Sequence, residues 1–401
     1  MICLLYILRL WSNAGKEIGE FIDYKLNRHF GRRTPSYLPR AAVHDYLVGR
    51  VKLGDVRKFI RFRTAVRWVD FGEQQFKVMV EDLTTDIIEH LSFDYVIVAS
   101  GHYSTPNIPD FDGITQFPGR VLHAHDFRGA DEFVGQHVLI IGSSYSAEDI
   151  ALQLYKYGAR AITISYRTRP MRYKWRENIK EVPLLVHMQG RMAHFRDGTT
   201  SDAEIDSIIF CTGYRHHHSF MSEHLRLRCP SHLLYPPNLY KGVFWVNQPN
   251  LVYLGMQSLV FSFNMFDVQT AFVRDVILSR LILPDVNIRQ VDTDQWQVRE
   301  AKIEVGDEQF DFQTEYVRDL LQQCHSPLLL DVDRINALIH KLKEDKQNNI
   351  LTYRDQPFRS IFTGERAPII MDRLPWLKIM DGSLEGFLTR TFVDEDDLKS
   401  T

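Results

Sequence analysis

The clearest pattern of apolar and polar positions lies near the middle of the chain. Four consecutive apolar residues at 138–141 lead into Gly142. Beyond this glycine, apolar residues fall on one face at helical spacing: Ile150, Leu154 and Tyr157. The pattern predicts a strand, a tight turn and a helix over residues 137–158. A second apolar strand is predicted at 161–166.

The turn between this strand and helix carries the small residues that a phosphate-binding turn needs. Gly142 stands where the chain reverses, and Ser144 is small enough for backbone amides to approach a pyrophosphate. Ala147 lets the helix pack closely on the strand. The phosphates are expected at the positive helix N-terminus, with the hydroxyls of Ser143, Ser144 and Ser146 as further donors. The alternative is an ordinary serine-capped helix in an α/β sheet.

The residue just past the second strand indicates which dinucleotide binds. Sites that prefer NAD carry an acidic residue there, which bonds the ribose hydroxyl. This chain has Arg167 at that place. A guanidinium suits the 2′-phosphate of NADP because it forms paired, charge-assisted hydrogen bonds. The sequence therefore predicts NADP.

The flanking regions predict further helices and strands. Before the central unit, we expect a helix at 11–31 that ends at Gly31, a helix at 40–51 opened by Pro39, and strands at 59–69, 76–80 and 93–100. The strand at 93–100 is nearly continuous in apolar residues and is predicted to be buried. After the central unit, we expect strands at 205–211 and 252–255 and helices at 262–281, 314–324 and 333–343.

Two segments repeat one pattern. VIVASGHY at 96–103 and IIFCTGYR at 208–215 are apolar strands that end in a small residue, a Ser or Thr, a Gly and then an aromatic or His. Two such strand ends, one in each domain, suggest two nucleotide-binding units joined by paired crossings. The alternative is two unrelated buried strands that meet turns.

Composition and charge limit the classes of function. The chain has 401 residues, of which 44% are apolar and 25% charged, so we expect two domains with their own cores. The formal net charge of −3 predicts no general attraction to nucleic acid or to an anionic membrane. Cys3, Cys211, Cys229 and Cys324 form no C-x-x-C pair. This spacing disfavours a redox dithiol, a zinc site and a disulfide framework, and a reducing, cytoplasmic compartment is expected. The opening MICLLYILRLW is too short to span a bilayer and lacks the features of a signal peptide, so we expect it in the interior of the fold.

A loop before the central strand resembles a family fingerprint. Phe117, Gly119, His123 and Phe127 match the F-x-G-x-x-x-H-x-x-x-[FW] pattern of the class B flavin monooxygenases. Position 127 is Phe rather than Trp, and in this the chain resembles the flavin-containing branch, whose members oxygenate nitrogen and sulfur. From the residues alone, the segment is a packed interdomain loop. A metal pair of His123 and His125 is disfavoured because no further ligand cluster accompanies it.

Other segments resemble the trimethylamine monooxygenase group of that family. The similar segments run from Leu10 towards the C-terminus: LWSNAGKE (10–17), LHAHDFR (122–128), GSSYSAEDI (142–150), YRTRPMRYKW (166–175), CTGY (211–214), LYKGV (239–243) and GMQ with FSFNMFD (255–267). The resemblance thus covers nearly the whole chain.

The resemblance implies roles for individual residues. Asn13 is expected to contact both flavin and nicotinamide and to help hold the oxygenated flavin, with Val66 beside the flavin adenine and Gln257 beside the isoalloxazine. NADP is expected at Ser143, Ser144, Tyr145, Ser146, Arg167 and Thr168. Tyr145 is also expected near the substrate entrance, so Asn13 and Tyr145 are the catalytic candidates. From the residues alone, Asn13 is a helix N-cap and Gln257 is a polar residue after a strand.

The resemblance also implies a fold and an activity. We expect an α/β fold with two Rossmann-like domains: a smaller NADP domain at 110–213, inserted in an FAD domain formed by 1–109 and by 214–401, which ends in a helical cap. FAD and NADPH are the expected cofactors, with dioxygen and a small amine or sulfide as substrates, of the type that turns trimethylamine into its N-oxide. No metal, nucleic acid or membrane is expected as a partner, and a cap of this size can serve a homodimer.

One departure from the family pattern concerns the flavin. Members begin with a strand and a G-x-G-x-x-G turn for the FAD pyrophosphate, and nothing in this sequence supplies that turn. We therefore expect a sequence that lacks the first strand, turn and helix of the FAD domain, with an exposed sheet edge. The alternative is a flavin-free NADP-binding protein that uses the rest of the chain to bind a partner. A disulfide reductase of similar architecture is disfavoured by the missing C-x-x-C pair.

Overall fold

The structure is a computed structural model that describes residues 10–101, 103–258, 260–304, 306–370, 382–390 and 392–393. The helices in these ranges are α1 (Lys16–Gly19), α2 (Leu26–Phe30), α3 (Arg40–Leu53), α4 (Tyr145–Tyr157), α5 (Phe263–Ile277), α6 (Val286–Glu300), α7 (Glu308–Gln323), α8 (Val332–Asn348) and α9 (Leu384–Leu388). The strands in these ranges are β1 (Thr64–Gly72), β2 (Gln75–Asp82), β3 (Ile88–Phe93), β4 (Val96–Val98), β5 (Thr105–Pro106), β6 (Arg120–His123), β7 (His137–Ile141), β8 (Ala161–Ser165), β9 (Ile179–Val182), β10 (Leu185–Gln189), β11 (Met192–Phe195), β12 (Ser207–Phe210), β13 (Tyr214–Arg215), β14 (Leu239–Tyr240), β15 (Phe244–Trp245), β16 (Leu251–Tyr253), β17 (Ile369–Ile370) and β18 (Phe392–Val393).

A five-stranded parallel sheet with the order β6-β12-β7-β8-β9 forms the centre of the fold. The central strand β7 is buried along its whole length, as expected for a parallel strand covered on both faces. Helix α4 connects β7 to β8 and packs on the sheet through Ile150, Ala151 and Leu154. The predicted strand, turn, helix and strand are therefore confirmed, and so is the α/β class.

A second sheet has the order β14-β15-β16-β4. Strands β16 and β4 run parallel, with Val252 opposite Ile97, whereas β14, β15 and β16 are antiparallel neighbours. A separate antiparallel sheet, β1-β2-β3, packs beside it through Val69, Phe76 and Met221.

Two short strands link the sheets. β5 pairs antiparallel with β13, so that Pro106 lies opposite Tyr214. Asn107 strengthens this junction, since its backbone N–H donates to the Gly213 carbonyl at 2.9 Å and its side chain donates to the Thr212 carbonyl at 3.2 Å. The chain thus enters and leaves the central sheet through paired crossings, as the repeated strand ends predict.

The C-terminal helices α6, α7 and α8 close the largest apolar core among the described residues. This core joins Trp11 and Ile18 near the start of the described chain to Tyr316 on α7 and Ile335 on α8. Leu152, on the face of α4 turned away from the central sheet, belongs to the same core. Helix α4 is therefore held between the central sheet and the C-terminal helices.

The predicted helix at 11–31 is wrong. The structure has two short helices there, because backbone N–H groups between them bond to distant side chains instead of helix carbonyls. The Phe21 N–H donates to the Tyr46 hydroxyl at 2.9 Å, and the Ile22 N–H donates to Asp267 at 2.7 Å. The predicted stop at Gly31 is confirmed, since that residue ends α2 in the left-handed conformation. Helix α3 also begins after Pro39 as predicted.

The predicted buried strand at 93–100 is also wrong in extent and burial. Phe93 belongs to β3, where it pairs with Phe76, and β4 has only three residues. Ile97 in β4 is 45% exposed. Ile97 is exposed because β4 lies at an edge of its sheet and pairs only with β16 among the described strands.

Strand β1 begins at Thr64 rather than residue 59. The sequence patterns do not predict several of the described elements, among them β3, β6, β9, β10 and α6. Helix α6 escapes the apolar pattern because its buried residues are Arg289, Thr293 and Trp296. Residues 1–9 of the opening apolar segment lie outside the described residues, whereas Trp11 is buried. Within the described ranges, none of the helices combines the length and apolar character that a bilayer crossing requires.

Candidate active site

The turn after β7 presents an open helix N-terminus. Gly142 has a φ of 117°, and its N–H donates to the Ser165 carbonyl of β8 at 2.8 Å. A Cβ at this position would overlap the Cys211 carbonyl oxygen, so the turn requires glycine for both its backbone angle and its space. The N-cap residue of α4, Ser144, forms no side-chain capping bond. The start of α4 therefore lacks the bond that a capping serine would supply, and Ser144 and Tyr145 are exposed there. Helix amides without a capping side chain can bind a phosphate.

The other residues predicted to bind NADP lie, like this turn, at the carboxyl ends of β7 and β8. Tyr145 begins α4 and is 48% exposed. The Ser143 hydroxyl donates to the Arg169 carbonyl at 3.3 Å, which ties the turn to the segment after β8. Arg167 and Thr168 are exposed in that segment. Arg196 donates to the Arg167 carbonyl at 3.1 Å, so the backbone is held while the Arg167 side chain stays in solvent.

Asn13 contacts α4 directly. Its Nδ2 donates to Asp149 Oδ2 at 3.3 Å, across 136 positions of sequence. The interpretation of Asn13 as a helix N-cap is wrong, because the nearest helix, α1, begins at Lys16 with Gly15 as its N-cap. The side chain is instead used in a tertiary contact one helical turn from Tyr145.

Glu148 and Asp149 put two acidic side chains into the first turns of a helix expected to bind phosphates. Lys346 of α8 neutralises Glu148 at 2.7 Å, and the two side chains are only 5% and 2% exposed. The hydroxyls of Tyr173 and Tyr353 donate to the same carboxylate at 3.1 and 3.3 Å. Burial, followed by the neighbouring Glu148 carboxylate, raises the pKa of Tyr173, so it remains a donor at neutral pH.

Asp149 pairs with Arg354, which lies in a short turn after α8 (Tyr353–Asp355). Sequence reasoning missed these partners of the two acids because Arg354 and Tyr353 are 205 positions away from them. The available signal was the Glu-Asp pair itself. Acidic side chains beside a phosphate-binding turn need cations, and a Glu on the inward face of a helix needs a buried one.

Gln257 is fully buried, and protein groups bond both ends of its amide. Its Nε2 donates to the Gly242 carbonyl at 2.7 Å, and its Oε1 accepts from Gln269 at 2.8 Å. Gln269 also donates to the Tyr316 hydroxyl at 2.9 Å. The side chain therefore braces the loop after β16, and Gln257 has no exposed surface in the structure.

The predicted residues fall in three places. Asn13, Tyr145 and the serines of the turn meet at the start of α4. Gln257 lies on the loop between β16 and α5, where it contacts Gly242 and Gln269. Val66 lies in the β1-β2-β3 sheet and is 43% exposed.

Of the fingerprint residues, His123 contacts the junction between the sheets, and the others pack within the central unit. Phe117, His123 and Phe127 are buried, and a Cβ on Gly119 would overlap the Asp206 carbonyl. The His125 backbone N–H donates to His123 Nδ1 at 3.0 Å, so Nε2 carries the proton and donates to the Gly213 carbonyl at 3.1 Å. Burial lowers the pKa of His123 to about 4, so the ring is neutral near pH 7. Both nitrogens are used in hydrogen bonds, which leaves neither for a metal.

Comparison with protein families gives one extended match. A family described as flavin-binding monooxygenase-like matches residues 5–172 and 176–326. This range includes the turn after β7, Asn13 and the fingerprint loop.

The chain is also similar to individual proteins. It is 52% identical over 383 residues to a trimethylamine monooxygenase of Methylocella silvestris, covering 95% of this chain and 84% of that one. A trimethylamine monooxygenase of Pelagibacter ubique is 45% identical over 381 residues, with 95% and 85% covered. The crystal structure of Tmm from Pelagibacter sp. strain HTCC7211 superimposes with a TM-score of 0.90 at 44% identity, covering 94% of this chain and 84% of that one.

Proposed function

Because the chain belongs to the flavin-binding monooxygenase-like family, we propose that it is an NADPH- and dioxygen-dependent enzyme that oxygenates the nitrogen of trimethylamine or a similar small amine. The observation that carries the proposal is the contact of Asn13 with the first turns of α4. This contact puts the residue expected beside flavin and nicotinamide next to the turn expected to hold NADP. The high identity to proteins named trimethylamine monooxygenase supports the choice of substrate.

The turn residues fit NADP. The uncapped amides of α4 and the hydroxyls of Ser144 and Ser146 would hold the pyrophosphate, and that of Ser143 would join them by turning from the Arg169 carbonyl. Arg167 and Thr168 are exposed after β8 and would hold the 2′-phosphate. Lys346 offsets the charge of Glu148, which would otherwise repel the cofactor at this helix end.

Flavin, when bound, supplies the reaction with dioxygen and the oxygen transfer, and the chain supplies position and exclusion of water. Asn13 would meet the reactive ring system, Gln257 would lie beside it, and Val66 would lie beside the adenine. An amine attacks through its own lone pair, so the chain needs no general base for the transfer. Tyr145, at the exposed start of α4, would line the path of the amine.

The proposal is tested on the purified protein supplied with a large excess of FAD, because its sequence offers no G-x-G-x-x-G turn for the FAD pyrophosphate. We expect NADPH oxidation and oxygen consumption with trimethylamine, and one trimethylamine N-oxide per NADPH, measured by mass spectrometry. Tight NADP binding without flavin binding or N-oxide would contradict the proposal and favour a flavin-free NADP-binding protein. The cytoplasmic location and the homodimer stay predictions.

Substitution of Arg167→Ala should separate the two nicotinamide cofactors. Loss of a charge-assisted contact to the 2′-phosphate should raise the KM for NADPH by about 10- to 100-fold. The KM for NADH should stay nearly unchanged, since NADH lacks that phosphate. Arg160→Ala is the matched control. Arg160 is exposed, pairs with Asp206, and precedes β8, so it lies at the opposite end of that strand from Arg167. Equal losses for NADPH and NADH would remove the proposed role of Arg167.

A further inference from the structure

Three distant segments meet at the carboxylate of Asp149. Its Oδ1 is bonded by the Arg354 guanidinium, and its Oδ2 accepts from Asn13 Nδ2 at 3.3 Å. The Arg354 Nε also donates to the Ser12 carbonyl at 3.1 Å. The Ser12–Asn13 segment is thus held twice, once through its main chain and once through the Asn13 side chain.

The ion pair that holds the segment is shielded from water. The Arg354 side chain is 2% exposed and that of Asp149 is 14% exposed. A guanidinium keeps its charge at all working pH values, and its planar donors bond two acceptors in a fixed geometry. Arg354 therefore fixes both the carboxylate of Asp149 and the Ser12 carbonyl relative to each other.

The carboxylate decides which end of the Asn13 amide is turned towards it. An ionised carboxylate only accepts hydrogen bonds, so the amide must present its NH2 group to Asp149. The Asn13 carbonyl oxygen then points to the other side of the amide. A rotation of about 180° about the last side-chain bond would exchange the two ends, and Asp149 disfavours that rotation by facing oxygen with oxygen.

The arrangement around Asn13 lies beside Tyr145, at the start of α4. Asp149 lies four residues after Tyr145, so both side chains share one face of α4. We propose that Asp149 and Arg354 are positioning residues that lock the Asn13 amide in one orientation against α4 and so keep NADPH oxidation coupled to oxygen transfer. This inference rests on the function proposed above.

Coupling has a defined chemical balance. In the coupled reaction, NADPH, a proton, dioxygen and the amine give NADP⁺, the amine oxide and water. In the uncoupled reaction, NADPH, a proton and dioxygen give NADP⁺ and hydrogen peroxide. The ratio of peroxide to amine oxide therefore measures how often the oxygen transfer fails.

The variants Asp149→Asn and Arg354→Lys test the lock. An amide at position 149 can donate as well as accept, so it tolerates both orientations of Asn13, and a lysine keeps the charge at 354 but loses the planar fork. We expect the ratio of peroxide to amine oxide to rise about tenfold in each variant, as for the loss of one hydrogen bond to a charged group. The KM for NADPH should change little, because neither residue belongs to the phosphate-binding turn. An unchanged ratio in both variants would overturn the inference.

Matched controls make the same chemical changes elsewhere. Asp311 on α7 and Arg359 are surface residues outside the Asn13 contact. Asp311→Asn and Arg359→Lys should leave the ratio at its wild-type value. A rise of the same size in these controls would also overturn the inference, since it would show that the ratio responds to general loosening.

A second readout needs neither flavin nor NADP. In urea unfolding, Asn13→Ala and Asp149→Asn should be non-additive: their combined effect on the unfolding equilibrium constant should be smaller than the product of the single effects. Asn13→Ala with Asp311→Asn should be additive. If the wild-type protein forms no amine oxide, the proposed function fails, and a non-additive cycle still supports the lock. An additive cycle for Asn13 and Asp149 overturns it.

Discussion

Substitution of Lys346→Ala should lower the free energy of unfolding by about 3–5 kcal/mol, as is typical when one partner of a buried ion pair is removed. The Lys346 and Glu148 side chains are almost fully buried and lie 2.7 Å apart. Without the ammonium, the Glu148 carboxylate stays inside the protein, and its donors among the described residues are the hydroxyls of Tyr173 and Tyr353. The loss is measured by urea unfolding at pH 7.

The same helix offers a control for this loss. Lys343 of α8 also pairs with a carboxylate, that of Asp307, but the two side chains are 33% and 52% exposed. Lys343→Ala should therefore cost less than about 1 kcal/mol. The double change Glu148→Gln with Lys346→Met removes both charges and should recover most of the stability. A Lys346→Ala protein as stable as Lys343→Ala would show that the buried pair contributes nothing.

Substitution of Gly142→Ala should destabilise the central unit by about 3–5 kcal/mol and abolish NADP binding. The backbone angle of 117° is one that L-residues rarely adopt, and the added methyl group would overlap the Cys211 carbonyl at the end of β12. Strand β12 must then move away from β7, which distorts the turn that presents the amides of α4. Urea unfolding and NADP titration measure the two effects.

The glycine at the other end of α4 is the matched control. Gly158 has a φ of 90°, but a Cβ there would meet no atom within 4 Å. Gly158→Ala should cost about 1–2 kcal/mol from backbone strain alone and leave NADP binding unchanged. Equal stability losses at both glycines would mean that the close approach to Cys211 has no effect.

Local pattern predicts an element well when the element's own residues supply the reasons for it. Helix α3 follows Pro39 and α2 stops at Gly31 as expected, because both signals act on the backbone of the residue that carries them. The helix predicted at 11–31 fails because Tyr46 and Asp267 take the N–H groups that a continuous helix would use. Those partners lie outside any window that a periodic pattern covers.

The candidate site likewise has features that adjacent residues specify and contacts that distant segments supply. The motif after β7 indicates the turn and its serines directly, since the glycine and small residues adjoin the helix they open. The partners of Glu148 and Asp149 come from α8 and the turn after it, and only the folded chain brings them to α4. The polar character of Gln257 is compatible with a role at a cofactor, but its amide is bonded within the protein.

The sequence alone determined the β7-α4-β8 unit, its glycine turn and the arginine after β8, because adjacent residues specify each of these features. Only the tertiary structure decided how Asn13 is oriented, which cations neutralise the acids of α4 and how Gln257 is used. The physical reason is that a buried polar group needs a partner, while its own neighbours in sequence do not say which distant segment will pack against it.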